Sequence, residues 1–216
     1  LGWLDCGGTP ETLNRTFACS TNMGNHTLVG SFVAPSFVTA MVANEIVLDL
    51  QSVGPSWPAW WGFRTGLCRA GSLAANFDFQ AGPFNCEDYW KGGAFGGLFM
   101  DPAAGDRARS KAIVALPQGD PLIGRIDQGT EVYSFKFLIN NAKSGLSPCT
   151  GCLTPVCIVL NSINIVQPKD NPNGNKFVSA PAMRSFVTWQ GLVGVDCLLA
   201  TPARNTTWGG VKAIYR

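Results

Sequence analysis

Glu131-Val-Tyr-Ser-Phe-Lys-Phe-Leu-Ile139 alternates: Tyr133, Phe135, Phe137 and Ile139 go one way, Ser134 and Lys136 the other, and Asn140-Asn141 then opens a turn. A side-chain period of two marks a strand with one face in a core, because successive Cβ atoms of an extended chain leave opposite sides. Glu45 to Gln51 repeats the pattern, with Ile46, Leu48 and Leu50 on one side, Glu45, Asp49 and Gln51 on the other, and Val47 as the exception. Further strand candidates are Thr27 to Val33, Asn76 to Phe79, Ala112 to Leu116, Val156 to Val166 and Ser185 to Trp189, each bounded by Gly, Pro, Asn or Asp. Helical periodicity is weak, and only Ser36 to Glu45 has room for a turn or two. Seven or more short strands separated by turn chemistry predict an all-β fold, an antiparallel β-sandwich of jelly-roll or immunoglobulin-like topology with little helix.

The chain has 216 residues, enough for one domain that buries ~70% of its unfolded surface. The loops Val53 to Gly62 (Pro and Trp), Lys91 to Gly97 (glycine-rich) and Gln167 to Asn175 (a polar hairpin connection) are too short to be linkers, and no solenoid repeat is present, so 1–216 reads as a single domain. Only 14% of residues are charged, against about 25% in ordinary soluble domains. The 16 basic and 14 acidic residues form no run of one sign, which excludes the electrostatic footprint of a nucleic-acid binder. A surface of neutral polar groups repels its own copies weakly and suits self-association or sugar binding. No apolar stretch approaches the ~20 residues of a membrane-spanning helix. A start at Leu1, without Met or a basic n-region, predicts that a leader has been removed.

Eight cysteines add a second constraint: Cys6, Cys19, Cys68, Cys86, Cys149, Cys152, Cys157 and Cys197. Pro148-Cys-Thr-Gly-Cys-Leu-Thr-Pro-Val-Cys157 holds three of them within nine residues. Zinc would need four gathered ligands and would leave four thiols unexplained, with only His26 available for a mixed site. A redox Cys-x-x-Cys belongs at a helix start, where the dipole lowers the first thiol's pKa, whereas Pro155 and the β-branched run after it predict a strand. Structural disulfides use all eight thiols and fit an oxidising compartment, so the chain is read as secreted, with no metal. Connectivity is not legible in spacing; the expected pairs are Cys6 with Cys19, Cys68 with Cys86, and two bridges among Cys149, Cys152, Cys157 and Cys197.

Catalytic machinery is thin. Any Ser-His-Asp or Cys-His scheme must use His26, in a polar loop, and no Gly-x-Ser-x-Gly elbow accompanies it. Gly92 to Gly97 lacks the Lys-Ser/Thr ending of a phosphate cradle. A glycan hydrolase would need two facing carboxylates; Asp49, Asp78 and Glu87 are the candidates, while adjacent Glu87 and Asp88 would point to opposite faces of a strand. The expectation is a protein that is not an enzyme and carries no cofactor. Trp57, Trp60 and Trp61, beside Phe63, are the candidate binding residues: flat rings on a Pro-rich loop can stack on sugars or on a neighbouring subunit, or else cap a core. Asn14, Asn25 and Asn205 head Asn-x-Thr sequons.

In Gly151-Cys-Leu-Thr-Pro-Val-Cys-Ile-Val159, in the ending Arg204-Asn-Thr-Thr-Trp-Gly-Gly-Val-Lys-Ala-Ile-Tyr-Arg216, and in an early Asp-Cys, a Thr-Phe-Ala-Cys and Glu-Ile-Val-Leu-Asp-Leu-Gln-Ser, the chain resembles a group of predicted exported bacterial proteins of unassigned function. The resemblance implies export and a shared fold, makes eukaryotic glycosylation of the sequons unexpected, and transfers no catalytic residue. Together these features predict a non-enzymatic extracellular structural protein, a filament or surface-layer building block whose partners are copies of itself. The alternative is a carbohydrate-binding module built on the Trp57, Trp60 and Trp61 platform and directed at cell-surface or extracellular polysaccharide, with a glycan hydrolase as the weakest reading.

Overall fold

The computed structural model describes residues 1–3, 6, 13–80, 86–117, 119, 124–145, 149–179, 185–191 and 197. Among them eleven strands form: β1 (Gly2–Trp3), β2 (Asn14–Arg15), β3 (Asn25–Val33), β4 (Ala43–Ser52), β5 (Leu73–Asn76), β6 (Phe95–Met100), β7 (Arg107–Ala115), β8 (Glu131–Asn140), β9 (Val156–Val166), β10 (Lys176–Val178) and β11 (Phe186–Trp189). The four-stranded sheet runs β1-β3-β8-β5, and the seven-stranded sheet runs β2-β11-β9-β4-β7-β6 with β10 also paired to β9. Every pairing is antiparallel except β2 with β11. The two sheets pack face to face into the expected all-β sandwich. A single 3₁₀ turn, Ala59–Trp61, interrupts the strands, and Ser36 to Glu45 holds no helix among the described residues. No helix of the described residues is long and apolar enough to cross a membrane.

The inner faces follow from the registers. Asn44, Ile46, Leu48 and Leu50 of β4 are all buried, as are Ala108, Ser110, Ala112 and Val114 of β7 across from them. Facing them in the other sheet are Trp3, Leu28 and Phe32, with Phe135, Phe137 and Ile139. Residues directly opposed in an antiparallel pair share a face, so the register also corrects the sequence reading of β8. Gly30 opposes Phe135 but Ser31 opposes Tyr133, which leaves Ser134 as an extra residue and puts Tyr133 and Phe135 on opposite faces. Tyr133 joins Lys136 outside, where the Phe79 ring lies 5.9 Å from Tyr133 and 5.0 Å from the Lys136 ammonium. Ser134 turns inward and accepts from Asn44 Nδ2 at 2.8 Å, a buried polar link between the sheets. β9 has the same device: Asn161 is skipped in its register with β4, and its Nδ2 donates to Asp49 at 2.6 Å.

Two other expectations change. The strand foreseen at Asn76 to Phe79 lies earlier, at β5, because Asn76 Oδ1 accepts from the Asp78 N–H and Asp78 Oδ1 from the Gln80 N–H, both at 2.9 Å. Such side-chain turns end a strand. Phe95 to Gly97, foreseen as glycine-rich loop, belongs to β6 at the rim of the large sheet.

The disulfides are Cys6–Cys86, Cys19–Cys152, Cys68–Cys149 and Cys157–Cys197, so all eight thiols are bonded and none is left as a metal or redox thiolate. Of the expected pairs, Cys6 with Cys19 and Cys68 with Cys86 do not form, and Cys149 and Cys152 bond outside their own cluster. Cys157 with Cys197 stands. The reason is tertiary: the turn at Gly151 has φ +97° and packs so tightly on Pro58 that a Cβ there would lie 2.5 Å from the proline Cβ, and thiols on its two sides meet different segments. The bridges close loops of 40 to 133 residues; a loop of ~100 residues is worth about 4.7 kcal/mol in the chain-entropy model.

Gly30 makes the bulge possible, since a Cβ at this position would sit 2.2 Å from the Phe135 ring. Gly30→Val is expected to cost about 1–3 kcal/mol through overpacking, read as a fall of several degrees in the thermal midpoint. Phe135→Leu in the same chain should recover part of the loss. An unchanged midpoint for Gly30→Val would contradict this packing.

Candidate functional site

The Trp-rich loop is the first candidate, and the structure turns it inward. Trp60 and Trp61 are fully buried and Trp57 is half-buried. The Trp60 N–H donates to the Thr150 carbonyl and its indole to Ser144 Oγ, both at 2.8 Å. Trp60 lies 4.7 Å from Trp189, which stacks at 4.1 Å on Phe17. The Trp189 indole donates to the Cys152 carbonyl at 2.7 Å, so the ring cluster and the cysteine segment form one body. Trp60 and Trp61 are core rings in this fold, with the turn before β9 closing over the loop, and only Trp57 keeps part of its surface exposed.

Arg69 is the charge inside this cluster. It is fully buried, with its guanidinium 3.5 Å from the centre of the Trp60 ring. Nε donates to the Ala142 carbonyl at 2.9 Å, Nη1 to Trp60 at 3.1 Å, and Nη2 to Asn140. No carboxylate among the described residues pairs with it. Burial pulls its pKa down to about 9, which leaves it charged at neutral pH. Its three carbonyl acceptors and the ring face replace the lost hydration. Arg69→Leu should cost about 3 kcal/mol or more, since three buried carbonyls lose their donor. Arg69→Lys should not restore the midpoint, because one ammonium cannot span the same fork. Equal midpoints for Lys and Arg would refute that role.

His26 also belongs to the cluster. Its ring lies 4.2 Å from Phe17, and Nε2 donates to Asn141 Oδ1 at 2.9 Å. Burial holds its pKa below the usual 6.5, outweighing the Asn141 hydrogen bond. Above about pH 6.5 the ring is neutral in both states and contributes no pH dependence. Below that value the unfolded chain binds the proton first, so stability falls with pH until the folded ring titrates too. His26→Gln should flatten the slope of unfolding free energy against pH just below the usual histidine pKa of about 6.5; an unaltered slope would rule out His26 as its source.

Asp49 and Asp78 lie on opposite outer faces. Asp49 lies on the outer face of the large sheet, held by Arg109 Nε and Asn161 Nδ2, each at 2.6 Å. Asp78 lies in the turn against the outer face of the small sheet, where its carbonyl accepts from Lys136, and Glu87 is exposed. Two sheets about 10 Å apart separate Asp49 from Asp78, while Asp78 and Asp88 both lie close enough to act on the Lys136 ammonium. No group of three or more His, Cys, Asp or Glu among the described residues is placed to hold a metal ion. Asn14 and Asn25 are exposed at strand starts; Asn205 lies outside the described residues.

A second candidate was hidden in the sequence. β6, Phe95-Gly-Gly-Leu-Phe-Met100, pairs only with β7 among the described strands and is the longest of the edge strands. Its outer side chains stay bare: Phe95 is 60% and Phe99 55% exposed, with Ile113 of β7 at 52% beside Gly97. Its edge borders a cleft of about 420 Å³ between β6 and β5, lined by Phe63, Arg64, Leu73, Leu98, Phe99 and Met100. The strand holds no Lys, Pro or bulge, the usual devices that keep an edge from pairing with another chain. The signal was present in the alternation of Phe95, Gly97 and Phe99; the preceding glycines obscured it. A hollow of about 630 Å³ at the other end of the large sheet lies between Val42, Leu116 and Pro168.

Comparison with protein-family models, with curated proteins and with solved structures finds no match to this chain.

Proposed function

We propose that this protein is a non-enzymatic, exported structural protein, a building block that associates with its own copies in a filament or surface layer outside the cell. The observation that carries the reading is the bare edge strand β6, with two exposed phenylalanines and no protecting charge. Four disulfides suit an oxidising compartment and a subunit that must last there. The low charge density keeps repulsion between copies weak. The resemblance to exported bacterial proteins points the same way and suggests a bacterial source.

The binding-module alternative loses its motive with the burial of Trp60 and Trp61. Sedimentation velocity of the oxidised protein should show mass rising with concentration, and electron microscopy should show repeating assemblies. Phe95→Lys with Phe99→Lys should weaken association at least tenfold without moving the thermal midpoint, since both rings are exposed. Monomers at every concentration would sink the proposal.

A further inference from the structure

β6 restricts what can pair with it. At Gly96 the Phe77 ring, 2.9 Å from where a Cβ would stand, and the Ile113 carbonyl already fill the space on the inner side, so the residue that faces Gly96 from an added strand must be small. Gly97, by contrast, has open space where its Cβ would be, on the outer face between the bare rings of Phe95 and Phe99. The backbone is equally specific. The Asp101 N–H donates to the Arg109 carbonyl at 2.8 Å, and in an antiparallel ladder such hydrogen-bonded pairs recur at every second residue. Phe95, Gly97 and Phe99 therefore direct their N–H and C=O groups to β7, while Gly96 and Leu98 direct theirs to the open edge.

β6 itself, with the turn before it, meets both requirements. About Gly96, the segment Lys91-Gly-Gly-Ala-Phe-Gly-Gly-Leu-Phe-Met-Asp101 is complementary to its own antiparallel copy. Gly96 faces Gly96, so no side chain enters the space that Phe77 fills. Phe95 faces Gly97 and Leu98 faces Ala94, a large residue against a small one each time. Hydrogen bonds between Gly96 and Gly96, and between Leu98 and Ala94, use the groups that β7 leaves free. Registers shifted toward the end of the strand would bring Leu98 or Met100 to Gly96 instead. At the two ends, the exposed Lys91 of each copy comes level with Asp101 of the other. The charges match only in the antiparallel sense, since an in-register parallel copy would set Lys91 beside Lys91 and Asp101 beside Asp101.

We propose that two copies of the chain pair β6 with β6, antiparallel about Gly96, so that the large sheet runs on from one copy into the other. The inference rests on the self-assembly reading and gives its first step. The contact is isologous and closes at two copies, so the unit that enters a larger assembly is a dimer that grows through other surfaces.

The test uses the full oxidised chain in sedimentation velocity at low ionic strength, where exposed charges act most strongly. Lys91→Glu sets Glu against Asp101 at both ends of the pair, and Asp101→Lys sets Lys against Lys91. Each variant alone should dimerise about tenfold more weakly than the native chain, since two exposed ion pairs turn repulsive. Their equimolar mixture should recover native affinity as heterodimers, in which every facing pair is again opposite in sign, and a chain carrying both substitutions should also associate like the native one. Asp101 pairs within its own copy with Lys111 at 2.9 Å. Should Asp101→Lys lower the thermal midpoint, Asp101→Asn takes its place, and the mixture should still associate more tightly than either variant alone. Native-like association of Lys91→Glu, or a mixture no tighter than its components, would overturn this inference and leave the self-assembly reading standing on another contact. Native protein that never associates would remove both.

Discussion

The nine residues from Cys149 to Cys157 are the point on which the rest of the sandwich depends. Three disulfides leave them for three distant places: Cys68 behind the Trp-rich loop, Cys19 before β3, and Cys197 beyond β11. Backbone groups of the same stretch receive the Trp189 indole, the Gln190 amide and the Trp60 N–H. The stretch leads directly into β9, which lies between β4 and β11 in the large sheet. Covalent closure and aromatic packing thus act on the same atoms. The bridges reduce the entropy of the unfolded chain while the rings fill the space the bridges enclose.

Polar groups take up what regular strands cannot. The bulges at Ser134 and Asn161 each add a residue that has no partner in the ladder, and each is caught by a polar side chain on or from β4, Asn44 and Asp49. Arg69 does the same for three carbonyls near the Trp loop. With few charges in the sequence, buried hydrogen bonds to single acceptors, rather than ion pairs, tie the layers together. Among the described residues, only Asp49 with Arg109 combines a short ion pair with substantial burial of the acid.

This distribution explains why the β6 rim stands apart. The cysteine segment, the aromatic cluster and Arg69 all gather around β9, β11 and the end of β8, and a cleft lies between the β5 and β6 rims. Among the described residues, β6 is the longest strand that ends a sheet.

The alternation of Ile46, Leu48 and Leu50, the turn residues between segments and the even set of cysteines were enough to read the fold class and the disulfide-bonded state, because strand period and thiol number are local properties of the chain. The limits of β9 and the polar hairpin after it were legible for the same reason. What only the tertiary structure decided was long-range. Which thiols pair depends on how Gly151 turns against Pro58; whether Trp60 and Trp61 face water depends on the segment that closes over them. Even the faces of Tyr133 and Phe135 depend on a bulge set by the small size of Gly30, a residue on a different strand. The exposure of Phe95 and Phe99 depends on sheet order, which places β6 last. Period and composition fix what a segment prefers, but partners distant in the chain determine which side of it is covered.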